Sequence, residues 1–156
     1  MSDFEIAIKV MREQFGRDYQ FALSTCRDNI PSSRFVDTYF DGDTEADPCL
    51  CAVTFLDGEY KEENVEVMAW KTVKGSYPDT EHVKFRTLPE VEVASCTYKG
   101  SYTLITDVYA AVVEWLNANG YESDGPMFNI YHVSPHETQN PDEFVTEVCY
   151  PVKKKT

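Results

Sequence analysis

The spacing of hydrophobic and polar residues predicts two amphipathic helices, one near the N-terminus and one in the second half of the chain. The apolar face of the first is made of Phe4, Ala7, Ile8, Met11 and Phe15. Ser2 and Glu5 fit a capping box at its start, and Gly16 suits its end. The apolar face of the second is made of Ile105, Val108, Tyr109, Val112 and Leu116. Ser101 can cap the start of this helix, and Gly120 is a suitable stop.

Short segments rich in β-branched and aromatic residues predict strands. The predicted strands cover residues 19–25, 34–40, 49–55, 65–73, 83–86, 91–98, 128–132 and 145–152. The first two are predicted to form a hairpin, because the turn residues Arg27, Asp28 and Asn29 lie between them. Residues 48–67 and 126–148 resemble each other, since in each a strand leads through an acidic loop to a second strand with a glutamate near its start.

This pattern predicts a single α+β domain over residues 1–156 that is built from two modules. The first module covers about residues 1–78 and contains the hairpin as an insert at about residues 17–42. The second module covers about residues 81–152, and the loop that contains Pro78 separates the two. Pro151 predicts that the last strand ends at a sheet edge, because proline cannot donate a ladder hydrogen bond.

The chain has 156 residues and a formal net charge of −13. A negative charge of this size disfavours direct contact with nucleic acid and with anionic membranes, because both require Lys and Arg. It favours a cationic ligand, although solubility alone also accounts for it. No apolar run reaches membrane-spanning length and no signal peptide is recognisable, so the sequence predicts a cytoplasmic protein.

Motifs for metals and cofactors are weak in this sequence. Cys49 and Cys51 form a C-x-C pair, but no second cysteine pair lies nearby to complete a metal site. His132 and His136 are four residues apart, yet Pro135 excludes a shared helical face, and we interpret both as loop histidines. No Walker A, Rossmann or G-x-S-x-G pattern occurs. The sequence therefore predicts neither a metal ion nor a cofactor.

Five separated segments form a recognisable set: in the second half RTLPEVEVASCTYKGSY, EWLNANGY, DGPMFNIYH and NPDEFVTEVCYPV, and in the first half LCAVTFLDGEYKEENVEV. This set resembles the GyrI-like effector-binding domain. The resemblance covers about residues 48–152. It implies duplicated strand-helix-strand-strand modules that form a curved antiparallel sheet with helices on one side, to which the N-terminal hairpin is an addition. It also implies a small-molecule site between the modules.

The predicted ligand-binding residues are Glu147, Tyr131, Tyr102, Tyr98, Trp70 and Glu66. The resemblance implies an acidic ligand contact at Glu147 and aromatic contacts at the tyrosines, and Glu66 is the counterpart of Glu147 in the internal repeat. A carboxylate in an apolar strand is costly unless it is paired or hydrated, and an aromatic face holds a cation with about 0.5–2 kcal/mol. The pattern favours a receptor for a lipophilic, cationic or aromatic molecule. A solvent-facing Glu147 and a core position for Tyr98 are the open alternatives.

The N-terminal segment, about the first 40 positions of the chain, contains FEIAIKVMREQFGRDYQFALSTCRDNIPSSRFVDTYFDG. This segment resembles the start of flavin split barrels related to pyridoxamine phosphate oxidase. The resemblance implies an FMN site with Arg34 near the flavin phosphate. The basic segment that grips the phosphate in that family has no counterpart after Asp43. We therefore interpret this part as scaffold.

The sequence favours a stand-alone protein that binds a small amphiphilic molecule, because no helix-turn-helix precedes the domain and the charge is wrong for DNA. The first alternative is a hydrolase of strained, cyclopropane-containing genotoxins. Glu147 would be its general base, and Tyr131 or Tyr102 would orient the leaving oxygen. An FMN-binding split barrel and a module that inhibits a protein partner are two further alternatives. The oligomeric state stays open.

Overall fold

The computed structural model describes residues 5–10, 19–26, 51–58, 61, 63–74, 77–80, 83–86 and 90–156. Within these residues the elements are β1 (Ile6–Val10), β2 (Tyr19–Cys26), β3 (Cys51–Phe55), β4 (Val67–Lys74), β5 (Lys84–Arg86), β6 (Glu92–Lys99), α1 (Ile105–Asn119), β7 (Tyr121–Ser123), β8 (Phe128–Val133) and β9 (Val145–Lys154). The chain divides into a terminal unit, Met1–Met11 with Val91–Thr156, and a middle unit, Arg12–Glu90. No helix in the described residues is long and apolar enough to span a membrane.

The terminal unit is an antiparallel sheet with one helix on one of its faces. Its strands are hydrogen-bonded in the order β1-β6-β9-β8, and β7 pairs with the end of β9. The core between the sheet and α1 contains Ala94, Cys96, Tyr98, Val108, Val112, Leu116, Val148 and Val152. The face of the sheet that packs on α1 is called the helix face below. The predicted α+β class, with an antiparallel sheet and a helix on one side, is confirmed.

Both ends of α1 follow the predicted signals. Ser101 Oγ accepts a hydrogen bond from the Thr103 backbone N–H and caps a short 3-10 turn, Tyr102–Leu104, that leads into the helix. Gly120 ends the helix with a left-handed backbone, φ 72°, which glycine adopts without a Cβ clash. The buried side of the helix carries Val108, Val112 and Leu116, as their spacing predicts.

The predicted N-terminal helix is wrong for residues 6–10, which form strand β1 along β6. Ile6 and Ile8 are half-buried while Glu5 and Ala7 are exposed, so the segment alternates with the period of a strand. Because Ile6, Ile8 and Val10 also favour β structure, pairing with β6 decides the conformation. The rest of the predicted helix lies outside the described residues.

In the middle unit the described strands pair antiparallel in the order β3-β4-β2-β5. β2 lies between β4 and β5 and confirms the first strand of the predicted hairpin. The second strand of that hairpin, residues 34–40, and Cys49 lie outside the described residues. The other strands agree with their predicted positions within one to two residues at most ends, and β7 was not predicted.

The expectation that Pro151 marks a sheet edge is wrong, because β9 is paired on both sides. Pro151 lies opposite Val93 of β6. On the other side, the β8 ladder reaches Cys149 and the β7 ladder starts at Val152. Proline therefore occupies the gap between two ladders, where its carbonyl accepts a hydrogen bond from the Asp124 N–H at 2.8 Å.

Candidate functional site

A buried carboxylate lies at the centre of the terminal unit. Glu147, the third residue of β9, is paired with Thr97 of β6 and Ile130 of β8, and its side chain is 2% exposed. Directly paired residues point to the same face of an antiparallel sheet, so Glu147 shares its face with the fully buried Ile130. We call this the Glu147 face; it is opposite the helix face. Cys149, two residues along β9, is fully buried on the same face.

Side chains from two neighbouring strands hold the carboxylate. Ser95 Oγ on β6 donates a hydrogen bond to Glu147 Oε1. His132 Nε2 on β8 lies 2.9 Å from Glu147 Oε2. Burial, together with the charge of Glu147, raises the pKa of the Cys96 thiol. The two contacts fix the direction of the carboxylate and compensate part of its desolvation.

His132 reaches Glu147 from an irregular part of the sheet. Tyr131 pairs with Thr146 and Val133 pairs with Val145, and the register shifts between these two pairs. His132 lies at the shift. A bulge of this kind re-aims a side chain at the rim of a sheet. The His132 side chain is 28% exposed, so the imidazole connects the buried carboxylate to solvent.

A cluster of aromatic side chains covers the helix face near the start of α1. Tyr98 of β6 and Tyr131 of β8 both lie opposite Thr146. The Tyr102 ring meets the Tyr131 ring edge-on at a centroid distance of 5.7 Å and stacks on Phe144 at 5.0 Å. Burial, as the main cause, raises the pKa of Tyr102 to about 12. The ring contacts connect Tyr131, Tyr102 and Phe144 into one aromatic wall, and Tyr98 lies on the same face of the sheet.

Polar side chains lie among the aromatic residues on the helix face. Asn129 Nδ2 donates a hydrogen bond of 2.6 Å to Tyr109 Oη, and burial raises the pKa of Tyr109. Tyr98 Oη, Thr146 Oγ1 and Asn129 Oδ1 are buried and make no hydrogen bond of normal geometry with the described residues. The pKa of Tyr98 is raised by burial, and the nearby Thr146 hydroxyl opposes that rise. Unsatisfied buried hydroxyls reduce the stability of the fold.

The structure brings three of the predicted site residues together. Tyr98, Tyr102 and Tyr131 lie on the helix face. Glu147 does not join them, because it follows Thr146 on β9 and consecutive strand residues point to opposite faces. The predicted set therefore divides into an aromatic group on one face and an acidic group on the other.

Trp70 and Glu66 belong to the middle unit. The Trp70 side chain is 2% exposed, and its Nε1–H donates a 2.9 Å hydrogen bond to Thr54 Oγ1. Glu66 directly precedes β4, and its side chain is exposed. Its backbone N–H donates a 2.6 Å hydrogen bond to Asp57 Oδ2. Trp70 is thus placed as a packed strand residue and Glu66 as a surface residue of their unit.

Sequence reasoning missed two contacts of Glu147, namely His132 and Ser95. The signal for His132 was its position two residues after Ile130 in a predicted strand, which puts both on one face. Pro135 excludes a helical face shared by His132 and His136 and says nothing about a strand. The alternation of residues 91–98 places Ser95 in a strand. It does not identify Glu147 as the contact of Ser95, because one sequence does not show the register between neighbouring strands. Within the described residues, no group of three or more His, Cys, Asp and Glu side chains could hold a metal ion.

Fold and site together define a small α+β domain with an acidic group built into its sheet. The family described as "GyrI-like small molecule binding domain" matches residues 38–153, about three quarters of the chain, and the chain belongs to this family. It is therefore a small-molecule-binding domain. No curated protein matches the chain.

Solved structures share the fold. EcmrR in a cryo-EM complex with DNA is 21% identical with a TM-score of 0.83, and the match covers 100% of this chain and 59% of that one. The EcmrR C-terminal domain is 21% identical with a TM-score of 0.79, covering 97% of this chain and 99% of that one. A hydrolase from Listeria innocua is 13% identical with a TM-score of 0.61, covering 96% and 92%. The chain thus spans about three fifths of the EcmrR chain in the DNA complex.

Proposed function

We propose that this GyrI-like domain binds a lipophilic ligand that is cationic or aromatic, and that Glu147 anchors the ligand's charged group. The observation that carries the proposal is the 2% exposure of Glu147, which is paired on both sides, with β6 and with β8. A carboxylate in a low-dielectric site attracts a positive charge more strongly than a carboxylate in water does. The net charge of −13 adds long-range attraction for a cation.

The surroundings of Glu147 support a lipophilic ligand. Ile130 and Cys149 share its face and are fully buried, so a ligand that reaches the carboxylate meets apolar side chains there. Tyr98, Tyr102 and Tyr131 are proposed as contacts only for a ligand on the helix face. Roles for Trp70 and Glu66 in ligand binding stay predictions.

The proposal is tested by titrating the protein with rhodamine 6G, a flat lipophilic cation, and following fluorescence anisotropy. We expect wild type to bind in the micromolar range, about −8 kcal/mol. Glu147→Gln keeps the shape of the side chain and removes its charge. It should weaken binding about 10- to 100-fold, which corresponds to the ~1.5–3 kcal/mol of a hydrogen bond to a charged group.

Glu114→Gln is the matched control, because Glu114 is exposed on α1 and its replacement changes the net charge by the same amount. It should leave the dissociation constant within about twofold, as expected for a distant, screened charge. Equal affinities for wild type and Glu147→Gln would show that Glu147 is not the anchor. Glu66→Gln, measured in the same series, tests the predicted role of Glu66.

A hydrolase is the second candidate function, and the contact between His132 and Glu147 favours it. A carboxylate that holds an imidazole is the arrangement by which many enzymes orient a histidine as a general base. Here His132 would take a proton from water, and Glu147 would be a positioning residue. Mass spectrometry of an activated cyclopropyl ketone, incubated with wild type or His132→Gln, tests this. Addition of water by wild type alone supports hydrolysis, and an unchanged probe in both samples rejects it.

We also propose that this chain does not itself contact nucleic acid. The support is its net charge of −13, since phosphate contacts require clustered Lys and Arg. EcmrR, by contrast, is solved with DNA, in a chain of which this one covers 59%. An electrophoretic shift assay with random duplex DNA at low salt should show no retarded band.

A further inference from the structure

The two partners in the His132–Glu147 contact differ in their access to solvent. The His132 side chain is 28% exposed, whereas the Glu147 side chain is 2% exposed. A ligand that enters from solvent on the His132 side therefore meets the imidazole before it meets the carboxylate.

The two oxygens of Glu147 also differ in what holds them. Oε1 accepts the hydroxyl of Ser95, which is 7% exposed and lies within the regularly paired part of β6. Oε2 faces the Nε2 atom of the half-exposed His132. Displacing Ser95 would disturb a buried strand residue. Displacing His132 moves a side chain that already borders solvent, so Oε2 is the oxygen that a ligand can reach at lower cost.

The backbone around His132 is suited to such a displacement. The regular β8–β9 pairing ends at Tyr131, and the register has shifted by Val133. Two residues further on, the chain enters an exposed segment, Pro135 to Glu137. A residue at a bulge near the end of a strand changes its rotamer without breaking a regular ladder pair.

We infer that His132 is a specificity-determining residue of the Glu147 site: its imidazole occupies the place of the ligand's cationic group and must be displaced by that group. The inference rests on the proposed function. A cation that interacts with Oε2 replaces the contact it removes, whereas a neutral ligand leaves the buried carboxylate without that contact. A neutral ligand cannot replace that contact and does not displace His132, so its affinity does not depend on the imidazole. For a cation, His132 lowers the apparent affinity by the fraction of molecules in which the imidazole is in place.

The test compares two probes of similar shape, the cation tetraphenylphosphonium and the neutral triphenylphosphine oxide, by isothermal titration calorimetry. His132→Ala removes the competitor and should tighten phosphonium binding about 5- to 50-fold, because the binding-competent fraction rises. His132→Gln, which keeps a polar side chain of similar reach, should shift the affinity in the same direction by a smaller factor. His132→Arg supplies a permanent cation and should weaken phosphonium binding at least about tenfold. Affinity for the phosphine oxide should stay within about twofold in all three variants.

His136→Ala is the control, since His136 is the other histidine of this segment and is exposed. It should change neither affinity. Urea unfolding of each variant shows that it is folded, and the Gln variant carries the test if the Ala variant is not. Weaker phosphonium binding by both the Ala and the Gln variants would overturn the inference, because His132 would then contact the ligand directly. Equal changes for both probes would overturn it too, as a purely structural effect.

Comparison of Glu147→Gln with the His132 variants separates the role of His132 from the role of Glu147 as the anchor. If Glu147→Gln weakens phosphonium binding but the His132 variants do not change it, the carboxylate is the anchor and His132 does not compete for it. If Glu147→Gln has no effect on phosphonium binding, the anchor itself is rejected, and the role of His132 is rejected with it.

Discussion

Tyr131 and Glu147 point to opposite faces of the terminal unit's sheet. Tyr131 is paired with Thr146, the residue before Glu147, and consecutive side chains on a strand alternate between faces. The tyrosine hydroxyl therefore belongs to the aromatic wall against α1, while the carboxylate belongs to the contacts with Ser95 and His132. Substitutions on one face should affect ligand binding on that face and leave the hydrogen bonds of the other face intact.

Replacement of Ser95 by alanine should destabilise the protein. The Ser95 hydroxyl donates to the buried Glu147 carboxylate, and loss of a hydrogen bond to a charged group costs about 1.5–3 kcal/mol. The free energy of unfolding is measured by urea titration. Ser123→Ala is the matched control, because Ser123 is exposed and donates to the Gly125 carbonyl; it should cost less than about 0.5 kcal/mol. Equal losses in the two variants would mean that the carboxylate does not depend on Ser95.

Two tyrosines in the core between the sheet and α1, Tyr98 and Tyr109, should respond in opposite ways to replacement by phenylalanine. Tyr98→Phe removes a buried hydroxyl that has no hydrogen bond of normal geometry with the described residues, so stability should stay the same or rise by up to ~1 kcal/mol. Tyr109→Phe removes the acceptor of the Asn129 amide and should cost about 1–3 kcal/mol. Thermal unfolding measures both. A larger loss for Tyr98→Phe than for Tyr109→Phe would contradict this assignment.

The sequence predicted the terminal unit well where one signal dominated. Helix α1 has a buried stripe and a glycine stop that both agree with the structure, and the predicted capping serine, Ser101, caps the 3-10 turn that precedes the helix. Residues 4–15 carried two competing signals, a helical stripe and a short β-branched alternation at Ile6, Ile8 and Val10. The choice between them depended on β6, a partner more than eighty residues away that local periodicity does not reveal.

The sequence predicts the acidic residue of the candidate site, Glu147, but not its contacts with Ser95 and His132. Glu147 was conspicuous because a carboxylate interrupts an apolar strand. The face on which it lies depends on the register of β9 with β6 and β8, and a shift of one residue would exchange the two faces. The sequence alone therefore places the tyrosines in the same pocket as Glu147, whereas Tyr98 and Tyr131 pair with Thr146, the residue before it.

Alkaline pH should destabilise the fold through Tyr102. Its pKa is about 12 in the folded protein, against about 10 in an unfolded chain, so the unfolded state loses the proton first. The stabilisation is complete below about pH 10 and is lost as the pH rises towards 12. Urea titrations between pH 9 and 11 should show a shallower decline for Tyr102→Phe, by less than ~1.4 kcal/mol per pH unit because solvent screens this half-buried group. Val113→Ala, an exposed position without a titratable group, should keep the wild-type slope.

Replacement of Gly120 by alanine should destabilise the protein only because of the backbone conformation at that position. Its φ of 72° is unfavourable for a residue with a Cβ atom, although no atom lies within 4 Å of the position that the Cβ would occupy. Gly120→Ala should therefore cost about 1 kcal/mol in the free energy of unfolding. Gly58→Ala is the control, since it has the same open space without a positive φ. A Gly120→Ala variant as stable as wild type would show that the end of α1 relaxes.

Strand β1 brings the start of the chain to β6, so the terminal unit is discontinuous in sequence, and the middle unit lies between its two parts along the chain. Pairing of β1 with β6 closes the long chain segment between them into a loop, and the contacts between the two strands must offset the chain entropy lost. We therefore expect this pairing to be a late step of folding. During synthesis β1 cannot pair with β6 until β6 has left the ribosome. A fragment that starts at Val91 would never receive that partner. It would present the free backbone edge of β6 to other molecules, and we expect such a fragment to self-associate.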